Sequence, residues 1–419
     1  MDRGLFLVGV FCFYKEKFKG VKKMATSLAL IVLLGLLSQY IFSKINLPGL
    51  LGMLLLGVII GPYGLNWISS DLLKVSADFR QIALIIILLR AGLGISRDEL
   101  HKVGRTALKL SCIPGLFEGF TIAFISTFIL GFSFIEGGIL GFIIAAVSPA
   151  VVVPQMLDFT ERGLGTEKGI PILILAGASI DDVFAITIFT TFLGFYSGSQ
   201  VNIGIQVLNI PIAIIIGIAA GFVIGLIFIK LFTRYSIRDT KKVLLILGAA
   251  ILLTSFEKLL KDKIEIAGLL GVMAIGFILL EKLPVVAKRL AVKFNKIWIF
   301  AEILLFVLVG AQVNVSVALD AGLKGILIVS IGLIARSLGV WISTYQSGLS
   351  KKERLFCAIA YTPKATVQAA IGAVPLSLGV ESGELILAVA VLSILLTAPL
   401  GAIAIKKSGP KCLNQAPKI

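Results

Sequence analysis

The sequence predicts an all-α polytopic membrane protein of about thirteen transmembrane helices, arranged as an inverted repeat with two interrupted helices. Three observations point there: an apolar composition, a succession of bilayer-length apolar stretches, and a hydroxyl-proline interruption that occurs in two of them. Of 419 residues, 58% are hydrophobic and 15% charged, against roughly 45–50% and about 25% in soluble globular proteins. Mean hydropathy is +1.04. These values exclude disorder, collagen and a water-soluble enzyme.

About 20 consecutive apolar residues cross a bilayer, and charged or Gly/Pro-rich breaks divide the chain into thirteen such stretches. The first seven lie near 25–42, 48–65, 79–95, 106–129, 137–157, 169–196 and 203–229. The remaining six lie near 243–257, 265–281, 297–315, 322–346, 355–378 and 384–405. The formal net charge of +16 is explained by cytoplasmic loops, where basic residues of membrane proteins concentrate, and no nucleic-acid partner is expected. The loops after stretches 1, 3, 5, 7, 9 and 11, with their adjoining helix ends and the C-terminus, carry 24 of the 39 Lys and Arg, including Arg234, Arg238, Lys241, Lys242, Lys288 and Arg289. The opposite side carries six: Lys74, Arg80, Lys258, Lys261, Lys263 and Lys324. The expected location is therefore the cell (inner) membrane, with a cytoplasmic C-terminus. Residues 1–24 run against this orientation, since Arg3, Lys15, Lys17, Lys19, Lys22 and Lys23 fall on the outer side. The apolar piece 4–14 is too short to span alone. It reads either as a short extra helix or as an extension upstream of a start at Met24.

Side-chain chemistry is restricted. Cys12, Cys112, Cys357 and Cys412 form no Cys-x-x-Cys, and His101 is the one histidine, so neither a disulfide framework nor a zinc site is indicated. No cofactor is expected. Carboxylates, amines, hydroxyls and backbone must do the work.

Stretch 5 holds Ser148-Pro149-Ala150-Val151-Val152-Val153-Pro154, and stretch 12 holds Thr362-Pro363-Lys364-Ala365-Thr366-Val367. Each proline lacks an N–H and clashes with the preceding turn, so Pro149, Pro154 and Pro363 mark the expected helix breaks. The two copies are seven stretches apart, an odd number, so they cross the membrane in opposite senses. That is the inverted-repeat pattern of secondary transporters, whose unwound helices meet near the midplane. Two ordinary proline kinks are the plain alternative.

A charge at bilayer depth is costly and marks a functional candidate. Five stand out: Asp181 and Asp182 in stretch 6, Glu118 in stretch 4, Arg336 in stretch 11 and Lys364 at the second break. Stretches 4 and 11 are repeat equivalents, so Glu118 and Arg336 are expected to face each other and to offset their desolvation by pairing. Adjacent aspartates project about 100° apart on a helix, so one can face an ion cavity while the other reaches a basic neighbour such as Lys364. A hard cation takes oxygen ligands, for which Ser148, the aspartates, the freed carbonyls around Val147 and the carbonyl of Ala178 are the candidates. Arg90, about one turn from a helix end, reads as a snorkelling structural residue. Glu302 reads as a bundle contact or a cavity-rim charge. Gly217, Gly221 and Gly225 read as a close-packing stripe.

These residues carry a resemblance. Residues 146–195, with SPAVVVPQM, GTEKGIP and ASIDDVFAITIF, are similar to the NHA-type Na⁺/H⁺ antiporters of the cation–proton antiporter superfamily. LLRAGLGI around Arg90, GLFEGF at 115–120 and YTPKATVQAAIG at 361–372 agree, so the similarity spans nearly all of 25–405. It implies the NhaA-like antiporter fold, with crossed broken helices in a core domain (106–196 and 322–405) moving against a dimerisation or scaffold domain (25–95 and 243–315). A linker helix (203–229) joins them, 406–419 forms a cytoplasmic tail, and a homodimer is implied. The family's ion-binding aspartates fall on Asp181 and Asp182, its backbone ligands near Val147 and Ala178, and its core charges on Glu118, Arg336 and Lys364. Two departures are visible: Arg336 stands where broader relatives often have lysine, and the first break lacks the aspartate of some relatives. Arg does not deprotonate usefully, which argues against Arg336 as a proton carrier.

The function expected is alternating-access exchange of Na⁺ (or Li⁺) for H⁺ at a shared aspartate site, with Asp182 the principal ligand, one proton per Na⁺, and no covalent chemistry. The alternatives are a K⁺/H⁺ antiporter or a Na⁺-coupled organic-anion symporter using Lys364 and Arg336. A channel is disfavoured by adjoining broken helices that carry both acid and base. An intramembrane aspartyl protease is least favoured, because adjacent aspartates diverge and no Gly-x-Gly-Asp is present.

Overall fold

A computed structural model of the chain describes residues 24–415, apart from 46, 96, 199–202 and 261–265. The 4–14 piece, its flanking basic residues and Cys12 lie outside the described residues. Nineteen helices form among the described residues. The chain opens with α1 (Met24–Lys44), α2 (Gly49–Ile60), α3 (Ser70–Lys74), α4 (Ser76–Gly92), α5 (Arg97–Leu110) and α6 (Ile113–Ile129). Next come α7 (Phe134–Ile144), α8 (Pro149–Glu161), α9 (Ile170–Tyr196), α10 (Ile203–Arg234) and α11 (Asp239–Leu260). Then α12 (Gly268–Lys282), α13 (Pro284–Ala311), α14 (Val315–Asp320) and α15 (Gly322–Ser343) precede α16 (Lys351–Ala360), α17 (Thr366–Ile371), α18 (Val374–Ser377) and α19 (Gly383–Cys412).

Local chemistry sets the helix starts. Ser133 and Ser350 each form a reciprocal capping box, with Glu136 and Glu353, pairing two backbone donors that a helix N-terminus leaves open. Pro114, Pro149, Pro171 and Pro284 occupy first-turn positions, where no intrahelical N–H bond is lost.

Among the described residues, eight helical runs are long and apolar enough to cross a membrane: Met24–Lys44, Leu100–Ile129, Phe134–Glu161, Ile170–Tyr196, Leu208–Arg234, Pro284–Ala311, Gly322–Ser343 and Gly383–Cys412. They coincide with eight of the thirteen sequence stretches. Others fold as shorter or interrupted pieces, such as the 12-residue α2, the 15-residue α12 and the 355–378 stretch, divided among α16, α17 and α18.

Some boundaries differ from the sequence reading. Pro154 breaks nothing: α8 runs from Pro149 to Glu161 through it. The interruption falls about two turns earlier, at 145–148, and Pro154 forfeits only the single bond its missing N–H would have made to the helix. The last helix runs on to Cys412 rather than ending at 405, because Lys406 and Lys407 at its end cost little once they are exposed. Stretch 4 also divides, at Ser111 and Cys112, between α5 and α6.

In the packing, α6 lies against α7 and α15, while α9 lies against α5, α7 and α8. Elsewhere α13 packs on α2, α4 and α11, and α10 pairs with α12. An ion pair of 2.7 Å between Arg90 and Glu161 ties the ends of α4 and α8. The α10–α12 pairing depends on small residues: a Cβ at Gly217 would strike the Ala267 carbonyl, and one at Gly221 the Gly271 carbonyl. Close backbone approach of this kind is how membrane helices associate without a hydrophobic driving force. Gly221→Ala is therefore expected to lower thermal stability in detergent by about 1–3 kcal/mol, the cost of overpacking. Gly248→Ala, with nothing within 4 Å of the added carbon, is expected to melt with the wild type, and equal melting of both variants would contradict the packing account.

Candidate functional site

The site is assembled from two interruptions. Between α7 and α8, residues 145–148 leave the helical path; between α16 and α17, residues 361–365 do the same. Backbone groups freed inside a membrane protein must find partners, and here the two breaks supply each other. The Ser148 N–H donates to the Pro363 carbonyl at 2.8 Å. The Gln368 amide, one turn into α17, donates to the carbonyls of Ile143 and Ala146 at 3.0 Å each and to that of Ile144 at 3.3 Å. The Lys364 N–H donates to Thr397 Oγ1 on α19 at 2.8 Å.

Arg336, on α15 and 1% exposed, locks these parts together. Its Nε donates to the Tyr361 carbonyl at 2.5 Å. Nη1 donates to Glu118 Oε2 of α6 at 2.8 Å and to the Ala145 carbonyl. Nη2 donates to Asp181 Oδ2 of α9 at 2.9 Å. One guanidinium thus holds both breaks and two carboxylates, a use of its fixed fork of donors that lysine cannot copy. Lys364 reaches Glu118 Oε2 at 2.6 Å. The sequence expectation that Lys364 would partner Asp181 is corrected: Asp181 takes Arg336 and the Val147 N–H, the latter at 2.7 Å. Glu118, Asp181, Arg336 and Lys364 are all fully or almost fully buried and form two anions against two cations, so their desolvation is offset within the quartet.

Asp182 stands outside that balance. It is half-buried, makes no ion pair among the described residues, and its Oδ1 is buried without a hydrogen-bond partner there. It lines a cavity of about 350 Å³ together with Ser179, Thr187, Thr366, Gln81 and Glu257. Ser148 is set back from this space; its hydroxyl meets Thr366 Oγ1 at 3.4 Å, and Thr366 itself lines the cavity. Val147 turns its N–H, not its carbonyl, to Asp181. Ala178 lies inside uninterrupted α9, so its carbonyl is not freed by a break. Pro149 begins α8 and Pro363 lies in the second break, whereas Pro154 lies in mid-helix, away from both interruptions. Among the described residues no three His, Cys, Asp or Glu side chains cluster as metal ligands, so a cation here has to draw on carboxylate, hydroxyl and backbone oxygens together.

Screening the spans for charge passes over four residues that the structure brings in: Tyr361, Thr366, Gln368 and Thr397. A signal existed for them, since uncharged polar side chains inside bilayer-length apolar stretches also need partners.

Comparison with known proteins follows the same lines. Residues 28–407 match the family described as sodium/hydrogen exchanger, transmembrane. The human sodium/hydrogen exchanger 9B2 is 37% identical over an alignment of 391 residues that covers 88% of this chain and 70% of that protein. The human sodium/hydrogen exchanger 9B1 is 36% identical over an alignment of 387 residues that covers 88% of this chain and 73% of that protein. Among solved structures, the sodium proton antiporter MjNhaP1 from Methanocaldococcus jannaschii shares the fold, with a TM-score of 0.76 at 24% identity, over 93% of this chain and 98% of that one.

Proposed function

The chain belongs to the sodium/hydrogen exchanger family of integral, multi-pass membrane transporters, and on that premise we propose that it exchanges Na⁺ or Li⁺ for H⁺ by alternating access, with Asp182 as the group both ions use. It is an ion transporter, not an enzyme. One observation carries the proposal: Asp182 is the carboxylate left over when the buried quartet is balanced, and it faces the cavity. A carboxylate without a fixed cation partner must take a mobile one or a proton. Asp181, held by Arg336 and Val147, keeps its carboxylate beside it, and the Thr366 hydroxyl on the cavity wall, with Ser148 behind it, supplies a further hard oxygen ligand. With one carboxylate alternating, one proton moves per Na⁺.

The proposal includes the architecture around the site. Thirteen spans in an inverted repeat would place the two breaks as crossed partners in a core (106–196 and 322–405). That core would move against a scaffold (25–95 and 243–315) through the 203–229 linker, in a homodimer with a cytoplasmic C-terminus and tail. The contact between the Ser148 N–H and the Pro363 carbonyl supports the crossing. Organic-anion symport is weakened because Arg336 and Lys364 are already engaged by Glu118 and Asp181. K⁺ in place of Na⁺ remains the alternative. Aspartyl proteolysis is disfavoured, since Asp181 and Asp182 face different surroundings on one helix.

Competition at one carboxylate has a definite sign. Protons and Na⁺ exclude each other at Asp182, so lowering pH is expected to raise the apparent KM for Na⁺ while the maximal rate changes less, as long as protein movement limits turnover. Proteoliposomes with an internal pH dye, given Na⁺ jumps without organic solute, measure this, and solid-supported-membrane currents report the charge moved. A KM indifferent to pH would sink the shared site, a sustained voltage-dependent current would reject one-for-one exchange, and K⁺ jumps that move protons better than Na⁺ jumps would select the K⁺ alternative.

A further inference from the structure

Arg90, which the sequence suggests as a snorkelling residue, turns inward instead. It lies near the end of α4 with its side chain 13% exposed, and its Nη2 donates to Glu161 Oε1 at 2.7 Å. Glu161 is the last residue of α8, the helix that leaves the first break. The pair thus joins the two bodies that the proposed exchange would move: α4 lies in the 25–95 scaffold and α8 in the 106–196 core.

Its place relative to the exchange cavity gives the pair a role. The loop between α8 and α9 donates its Gly165 N–H to the Asn414 carbonyl at 2.8 Å. So α8 ends, α9 begins and the C-terminal helix finishes on one face. The cavity at Asp182 runs the other way. Its wall follows α9 through Thr187 and Thr190 toward Tyr196, and its far side is formed by Gln81 and Gly268, near the starts of α4 and α12. A second space of about 390 Å³ separates the bodies on that same side. It lies between Gln312 and Asn314, past the end of α13, and Gln368 and Leu387, on α17 and α19. Toward the C-terminal face the bodies touch. The Ser179 hydroxyl of α9 lies 3.9 Å from Met273 Sδ of α12. Lys406 Nζ of α19 donates to the Leu47 carbonyl, between α1 and α2, at 3.3 Å. Among the described residues, Arg90 and Glu161 are the contact there that joins opposite charges across the two bodies.

We propose that the Arg90–Glu161 ion pair is a latch: it shuts the exchange site toward the C-terminal face and parts in every transport cycle. The inference rests on the alternating-access reading. With Glu161 61% exposed, the pair contributes little and breaks readily, which suits a contact made and unmade at each turnover. Arg90 also stands within electrostatic reach of the buried Glu302 carboxylate of α13, on its own body, so the latch is best opened by changing Glu161.

The test reads the distance between the bodies. Spin labels replace Lys288 of α13 and Lys352 of α16, both exposed near that face, in the full chain with its four cysteines changed to alanine. Pulsed electron paramagnetic resonance in detergent is expected to show Glu161→Gln raising the ratio of open to latched distances roughly 2–5-fold, the loss of one such pair. Glu161→Lys, which sets like charges against each other, should raise it further. Both variants should melt near the wild type. Distances unchanged in both variants overturn the latch, and lowered melting with unchanged distances marks a merely structural tie. In proteoliposomes, Arg90→Cys/Glu161→Cys joined by a short bis-methanethiosulfonate should lose Na⁺-driven proton movement and regain it on reduction. A monofunctional methanethiosulfonate on the same cysteines should leave exchange in place. Exchange by the cross-linked protein overturns the latch; if that double variant does not fold, the Glu161 distances still decide. Absence of Na⁺-driven proton movement in the wild-type chain would instead overturn the exchange reading, while the distances would still show whether the bodies part at this pair.

Discussion

Asp182→Asn is expected to reduce Na⁺-driven proton movement to the level of protein-free liposomes while leaving the fold intact. Asparagine keeps the shape of the side chain but cannot alternate between a cation and a proton. Because Asp182 makes no ion pair among the described residues and keeps an unpartnered buried oxygen, removing its charge relieves desolvation rather than breaking a contact. Melting in detergent should therefore be unchanged or raised. Asp181→Asn makes the contrast. It takes the charge from the bond to Arg336 Nη2 and weakens the acceptor for the Val147 N–H, so transport should fall severely and stability should fall with it, because a buried guanidinium loses half its countercharge. Proteoliposomes with a pH dye and thermal melts of the same preparations separate the two. Wild-type exchange by Asp182→Asn would end the single-site mechanism, and equal melting of both variants would show that the aspartates do not divide the work as their geometry indicates.

Much of this arrangement is legible in the chain, for particular physical reasons. Apolar length and intramembrane charge are local properties, so the helical class and the residues Glu118, Asp181, Asp182, Arg336 and Lys364 can be picked out one stretch at a time. Partner choice is not local. Whether Lys364 would reach Asp181 or Glu118 depends on how deep its break lies against α6, which no periodicity encodes. Pro154 shows the limit from the other side: a proline reports a lost donor and a clash, but whether the helix stops depends on what satisfies the neighbouring carbonyls. At the first break it is Gln368, beside the second break, that does so. Stretches such as α2 and α12 read as spans by composition, yet they fold as 12 and 15 residues, since hydropathy does not reveal where a turn ends a helix early.

The buried quartet yields the sharpest test, because its four members are not interchangeable pairs. Removing one charge leaves another unpaired in the interior, which typically costs about 3–5 kcal/mol. Glu118→Gln should therefore lower melting in detergent strongly, since Glu118 Oε2 serves both Arg336 and Lys364. A second substitution can rescue it, and the geometry says which. Adding Lys364→Met removes the cation whose one carboxylate partner was Glu118, and leaves Arg336 paired with Asp181 at 2.9 Å, a balanced remainder. Adding Arg336→Met instead leaves Asp181 and Lys364 charged without an ion pair between them, and strips the Ala145 and Tyr361 carbonyls of their donor. The Glu118→Gln/Lys364→Met protein should thus melt above Glu118→Gln alone, and well above Glu118→Gln/Arg336→Met. Both doubles should be more stable than the sum of their singles predicts, because each pair shares a contact. Additive shifts in both cycles would mean that the side chains do not meet, and the opposite order of the two doubles would mean that Lys364, not Arg336, is the cation that balances Asp181.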